Sequence, residues 1–205
     1  MKYIIPALLL TFFGLQFSNI QAQGDKSLDK IETVGKKHVS ITGSLVQVRT
    51  TAAKAKIDMA GTLYYTDKNQ FAIDYATPAG NRTVINGQGM LLIAKGKNQK
   101  FNLQKNPPMQ KLANFLIDAM AGRVREIATS NNADYTVKEN GGNYVVEMTA
   151  RKKAAKGFSS IRLVYRQSDC VMVEMETVDF SGVSNLYKMT DIKVNTAVDA
   201  AVFNF

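Results

Sequence analysis

The 205-residue chain has no tryptophan, one cysteine, one histidine and four prolines. With Cys170 alone, no internal disulfide can form, and the fold must be held by its core. One histidine and one cysteine cannot supply the four ligands of a structural zinc site. A Ser-His-Asp or Cys-His site would have to use His38, which is expected at the solvated end of a helix beside Lys36 and Lys37. Cys170 follows Asp169 at a hairpin turn and is expected to be a packed or half-exposed thiol. No GxxxxGK[ST] loop is present, nor a GxGxxG after a strand. Glu174 and Glu176 alternate along one strand face, the pattern of a solvated surface rather than of a catalytic pair. No enzyme, cofactor or metal is expected from these residues.

Charge and targeting come next. Met1-Lys2-Tyr3 is a short positive stretch, Ile4 to Phe17 is apolar and broken by Pro6, and small Ala22 follows in SNIQAQ. This is the pattern of a secretory signal peptide over residues 1–22, cut after Ala22 or one residue later; the alternative is an uncleaved anchor. No cysteine lies near the cut, so the mature chain is not expected to carry a lipid there. Residues 23–205 are expected to form one exported, soluble domain. Without Lys2, 25 Lys and Arg stand against 17 Asp and Glu, a net charge of +8. Basic charge often marks nucleic-acid binding. Here the lysines are scattered, and an exported protein does not meet DNA, so no nucleic-acid partner is expected. Attraction to anionic membrane surfaces or acidic partners fits better, with plain solubility as the simpler reading.

After a first segment with Leu28, Ile31 and Val34 at helical spacing (25–37), nearly everything alternates with period two. Strands are expected over 39–50, 55–66, 70–77, 82–85, 90–94, 99–104, 133–139, 143–150, 160–166, 170–180, 183–195 and a short 201–205. Asn140-Gly141-Gly142 is a strong hairpin signal. AAKAK (52–56) and RKKAAKG (151–157) have the composition of polar loops. About eleven antiparallel strands with one helix at the start and one in the middle do not make a two-sheet sandwich. They suggest a mainly β (α+β) fold, one strongly curved antiparallel sheet with the helices laid against its concave face.

The middle helix is the most informative stretch. In NPPMQKLANFLIDAMAG (106–122), two prolines open a helix and a glycine ends it. Only Gln110, Lys111, Asn114 and Asp118 are polar in its body, and they fall on one narrow stripe. Met109, Leu112, Ala113, Phe115, Leu116, Ile117, Ala119 and Met120 fill the rest. Such a helix lies deep in a core or roofs something apolar. The eight methionines left after the leader is removed suit an adaptable lining, which points to a cavity.

Three stretches carry a family resemblance: GTLYYTDKNQFAIDYATP (61–78), TVINGQGMLLIAKGKNQ (83–99) and VDAAVFNF (198–205). In order and spacing they resemble the LolA family of periplasmic outer-membrane lipoprotein carriers. The resemblance implies an incomplete β-barrel of about eleven strands, closed by a helical lid over an apolar cavity. It implies acylated lipoproteins as cargo, an inner-membrane ABC lipoprotein-release complex as donor, an outer-membrane acceptor, and a monomer. Phe71 matches an aromatic of the family's cavity. Ile117 and its neighbours Met109, Leu112, Leu116 and Met120 match the lid in placement, with Leu28 and Ile31 of the first helix beside them. Two departures stand out: Asp67 occupies the place of a family arginine that latches the lid, and Asn86 that of the usual turn aspartate. A carrier of another amphiphile, such as a glycolipid, and a lipoprotein-sensing module remain open at this point; a sensor of that kind is expected to carry a further domain, for which the length leaves no room.

Overall fold

Among the described residues, period-two alternation becomes eleven strands because each can turn one face inward and pair its backbone with its neighbours in a sheet. The computed structural model describes residues 12–153 and 156–205, with side chains of the first helix described from residue 24. In chain order the strands are β1 Ser40–Thr50, β2 Lys56–Thr66, β3 Gln70–Thr77, β4 Arg82–Asn86, β5 Gly89–Ala94 and β6 Lys97–Asn102, then β7 Ala133–Asn140, β8 Asn143–Ala150, β9 Phe158–Arg166, β10 Met172–Asp179 and β11 Ser184–Val194. They form a single antiparallel sheet in the order β6-β5-β4-β3-β2-β1-β11-β10-β9-β8-β7. The sheet does not close: β6 and β7 are its two edges, and β1 pairs with β11 at its middle, Leu45 opposite Met189.

Local chemistry sets the turns and the curvature. Asn140 pairs with Asn143, so Gly141-Gly142 is a two-residue hairpin loop with φ of +55° and +77°, the sign that a right-twisted hairpin needs. The register slips in β1 between Thr42 and Ser44, in β2 between Ala60 and Gly61, and in β10 between Met172 and Glu174. Such irregularities bend a strand. At Gly61 a Cβ would lie 2.2 Å from the Asp74 carbonyl oxygen, so only glycine permits this approach of β2 to β3.

Three helices accompany the sheet: α1 Phe12–Gly35, α2 Pro107–Met120 and α3 Val124–Asn131. Helix α1 starts earlier than the expected residue 25. Residues 1–11 of the expected leader lie outside the described residues, as do 154 and 155 of the expected loop over 151–157. Among the described residues no helix is long and apolar enough to cross a membrane. Helix α3 was not expected at all. The expected last strand over 201–205 is instead a short 3-10 helix, Ala200–Phe203, whose Asp199 side chain accepts from the Ala201 amide. Its Phe203 packs on the convex face with Ala72, Val84 and Leu91, and the Asn86 side-chain amide donates to the Phe203 carbonyl at 3.1 Å. The Asp199 cap and the burial of Phe203 hold the tail against this face instead of along an edge of the sheet.

The main core lies on the concave side. Leu28 and Ile31 of α1, Phe71 and Ile85 of the sheet, and Ile127 of α3 are among its most buried residues. His38, expected to be solvated, is buried at 5% exposure. Its Nδ1 has no hydrogen-bond partner among the described residues, and burial pushes the imidazole below its usual range against a smaller opposing effect of Asp169. Cys170 is packed, at 1% exposure, and burial raises its thiol.

Candidate functional site

The edge strands β6 and β7 are joined by residues 103–132, and this connection carries α2 and α3 across the open side of the sheet. Pro107 and Pro108 occupy the first positions of α2, where a missing N–H costs no helical bond. The Asn106 side chain caps the helix by accepting from the Met109 amide at 3.3 Å. Gln110, Lys111 and Asn114 face solvent, while Ala113, Phe115, Leu116, Ile117, Ala119 and Met120 are buried. Asp118, the last polar residue of the stripe, is half-buried and pairs with Arg123 at 2.7 Å. Burial raises its carboxyl above the usual range, and the Arg123 bond and charge pull the other way.

Beneath α2 lies a hollow of about 330 Å³ between the helix and the concave face, at the lower end of the roughly 300–1,000 Å³ typical of small-molecule sites. Its apolar wall comes from Ile73, Met90, Leu92 and Met175 of the sheet, with Leu112, Phe115 and Leu116 of α2 as its roof. The Phe115 and Phe158 rings meet at 4.9 Å between centroids. A second hollow, of about 380 Å³, opens beside Pro107, Pro108 and Lys111, and Leu112 and Phe158 line both.

The eight residues singled out in the sequence are therefore divided. Leu112 and Leu116 line the main hollow. Leu28, Ile31, Phe71, Ile117 and Met120 are packed in the surrounding core, each at 7% exposure or less. Met109 is partly buried against that core. Asp67, at the β2–β3 turn, donates its amide to the Val39 carbonyl. Helix α2 is instead tied from below, where the buried Tyr165 hydroxyl donates to the Ala119 carbonyl at 2.9 Å. Helix α3 is tied to α1, since Arg125 donates to Glu32 and to Asp29, and these carboxylates raise the guanidinium further above its usual range.

One end of the hollow is polar. Gln47 lies on β1 two residues from core Leu45, on the same face, and is 5% exposed. Its side-chain oxygen accepts from the Tyr75 hydroxyl at 2.6 Å. Its amide donates to Asn185 Oδ1 and to the Tyr187 hydroxyl oxygen, each at 3.1 Å. Burial pushes the Tyr75 phenol up to about 12, and it raises Tyr187 as well. The apolar readings of the sequence missed these four residues. The available signal was a glutamine at a core-facing position of an alternating strand. Among the described residues no three His, Cys, Asp or Glu side chains converge as a metal site would require.

The family model described as "Outer membrane lipoprotein carrier protein LolA" matches residues 36–205. A search of curated proteins finds no match. Solved structures of the same fold include an uncharacterized conserved protein from Thermus thermophilus, 11% identical with a TM-score of 0.54, covering 89% of this chain and 94% of that one. MucB in its complex with MucA from Pseudomonas aeruginosa is 10% identical with a TM-score of 0.52, over 89% of this chain and 61% of that one. A LolA superfamily protein from Nitrosomonas europaea is 11% identical with a TM-score of 0.43, over 89% and 97%.

Proposed function

The chain belongs to the LolA family of outer-membrane lipoprotein carriers, and on that premise we propose that it shields the acyl chains of lipoproteins beneath α2 and carries them through the periplasm from the inner to the outer membrane. The observation that supports this reading is the roofed hollow, apolar over most of its wall, between α2 and the concave face of the sheet. An acyl chain of about fifteen carbons gains roughly 12 kcal/mol on leaving water, at about 0.8 kcal/mol per CH₂. No covalent step is needed. The carrier takes its cargo from an inner-membrane ABC release complex and gives it to an outer-membrane acceptor that holds the chain more tightly. It acts as a monomer, exported by its leader.

Leu112 and Leu116 touch the chain in the closed form. Leu28, Ile31, Phe71, Met109, Ile117 and Met120 form the wall behind them and meet cargo when α2 lifts. Met90 and Met175 keep the lining adaptable to chains of different length. Native mass spectrometry of the protein purified from its own periplasm tests the reading. Acylated lipoproteins should be recovered bound at one per carrier. Recovery of glycolipid alone, or of empty carrier under conditions that preserve lipid complexes, would overturn it.

A further inference from the structure

The polar end of the hollow has a one-sided hydrogen-bonding character. Gln47 is fully committed, its oxygen to Tyr75 and its amide to Asn185 and Tyr187. Tyr75 has given its proton to Gln47. The Tyr187 oxygen accepts from Gln47, and among the described residues no side chain or carbonyl takes up the Tyr187 proton. The Asn185 oxygen is likewise used, and its amide hydrogens remain. Arg49, exposed at the mouth, forms no ion pair among the described residues. Arg82, which also borders the hollow, lies on β4 two residues from Val84 of the convex cluster and is occupied on that face by Asp74 and the Val202 carbonyl. What Tyr187, Asn185 and Arg49 still offer is therefore donors, a phenol proton, an amide and a guanidinium, beside the Thr83 and Thr177 hydroxyls, which also line the hollow and can donate or accept.

A purely hydrocarbon ligand would cover these donors without satisfying them, which is unfavourable. A ligand that brings acceptors to this end, where its apolar tail stops, satisfies them. We propose that Tyr187, Asn185 and Arg49 form a subsite for the carbonyl oxygens of an ester-linked acyl chain, oriented by Gln47 and Tyr75. The tail then runs from this end under Leu112 and Leu116. The inference rests on the carrier reading and adds to it a preference for acyl over alkyl chains.

Binding is measured by displacement of a fluorescent apolar probe with three ligands: a synthetic diacyl lipopeptide, the same lipopeptide with ether-linked alkyl chains, and a short-chain diacyl phosphatidylglycerol. The ester lipopeptide should bind about tenfold more tightly than its ether analogue, the effect of one or two hydrogen bonds. Tyr187→Phe should shrink that ratio to about twofold, the loss of the phenol's share of one hydrogen bond. A phospholipid bound as well as the ester lipopeptide assigns the subsite to glycerol esters in general, and weaker phospholipid binding assigns it to lipoproteins; both support the subsite. Equal binding of ester and ether lipopeptides by the unmodified protein overturns the subsite and leaves the carrier reading standing. Failure of every ligand to bind overturns both. The comparison on the unmodified protein does not depend on any variant folding.

Discussion

Leu116 and Met120 lie one turn apart on α2, both are buried, and only Leu116 borders the hollow. An aspartate at each position separates roof from core. Leu116→Asp loses apolar packing of about 2–3 kcal/mol, toward the low end for truncated core residues because a void already lies on one side. Its carboxylate can stay hydrated, since about 330 Å³ holds several waters. Against a typical stability of about 5–15 kcal/mol the variant should fold, with Tm lowered by roughly 5–10 °C. Met120→Asp loses similar or greater packing, and its charge has no water and no partner at 1% exposure. The added cost of several kcal/mol should leave it unfolded or aggregated. Circular dichroism and thermal unfolding read the fold, and displacement of an apolar probe by diacyl lipopeptide reads the site. Leu116→Asp should be folded and unable to bind lipid. If it unfolds as readily as Met120→Asp, the helix is core rather than roof, and if it folds and binds cargo normally, the hollow is not the cargo site.

Three further outcomes are expected. The folded-state value of His38 is lowered below 6.5 by burial, so its contribution is present above about pH 6.5 and is lost as pH falls through the lowered value. Unfolding midpoints of the parent should therefore fall from pH 7 toward pH 5 more steeply than those of His38→Gln, and equal slopes would contradict this. Tyr165→Phe removes the hydroxyl that holds Ala119 and should cost about 1 kcal/mol, read as faster amide exchange in α2 with the strands unchanged. Arg125→Ala breaks the ties from α3 to Asp29 and Glu32. Because the guanidinium is partly exposed, the loss should be only about 1 kcal/mol and should shrink in high salt; a salt-independent loss would assign it to packing.

The sheet was legible because its rules are local: alternation marked all eleven strands to within two residues, and Asn140-Gly141-Gly142 set a hairpin register. The second helix was legible from the two prolines that open it and Gly122 that ends it; the Asn106 cap was not. Helix α3 carried a weaker signal, Val124, Ile127 and Ala128 at helical spacing among polar residues, and it is stabilised by contacts with α2 and β7 that no local window contains. AVFNF has the composition of a strand, yet the Asp199 cap turns it into a 3-10 helix and Phe203 packs on Ala72, Val84 and Leu91, contacts that no local window contains. His38 misled for a similar reason. Its chain neighbours are exposed lysines, whereas the Asp169–Cys170 turn that influences it lies over 130 residues away. The roof was visible in the sequence as an apolar helix, but which of its residues faced empty space was not. Periodicity distinguishes buried from exposed and says nothing about whether a buried side chain meets another side chain or a void.

The way the sheet is left open bears on how such a hollow can be loaded. Every strand from β6 round to β7 keeps its ladder partners without help from α2. The helix sits in the one connection that joins the two edges, 30 residues long, and is held by side chains: the Tyr165 bond, the Phe115–Phe158 contact and apolar burial. Raising it breaks no strand pairing, so its opening free energy is set by its side-chain contacts, the burial of Ala113, Phe115, Leu116, Ile117, Ala119 and Met120 above all, rather than by the stability of the sheet. On the proposed carrier reading, an acyl chain entering beneath it would replace the same kind of apolar contact that the roof gives up. A carrier needs that near balance, because a roof packed as tightly as the core could not admit cargo, and one held only by solvent-exposed pairs could not keep water out.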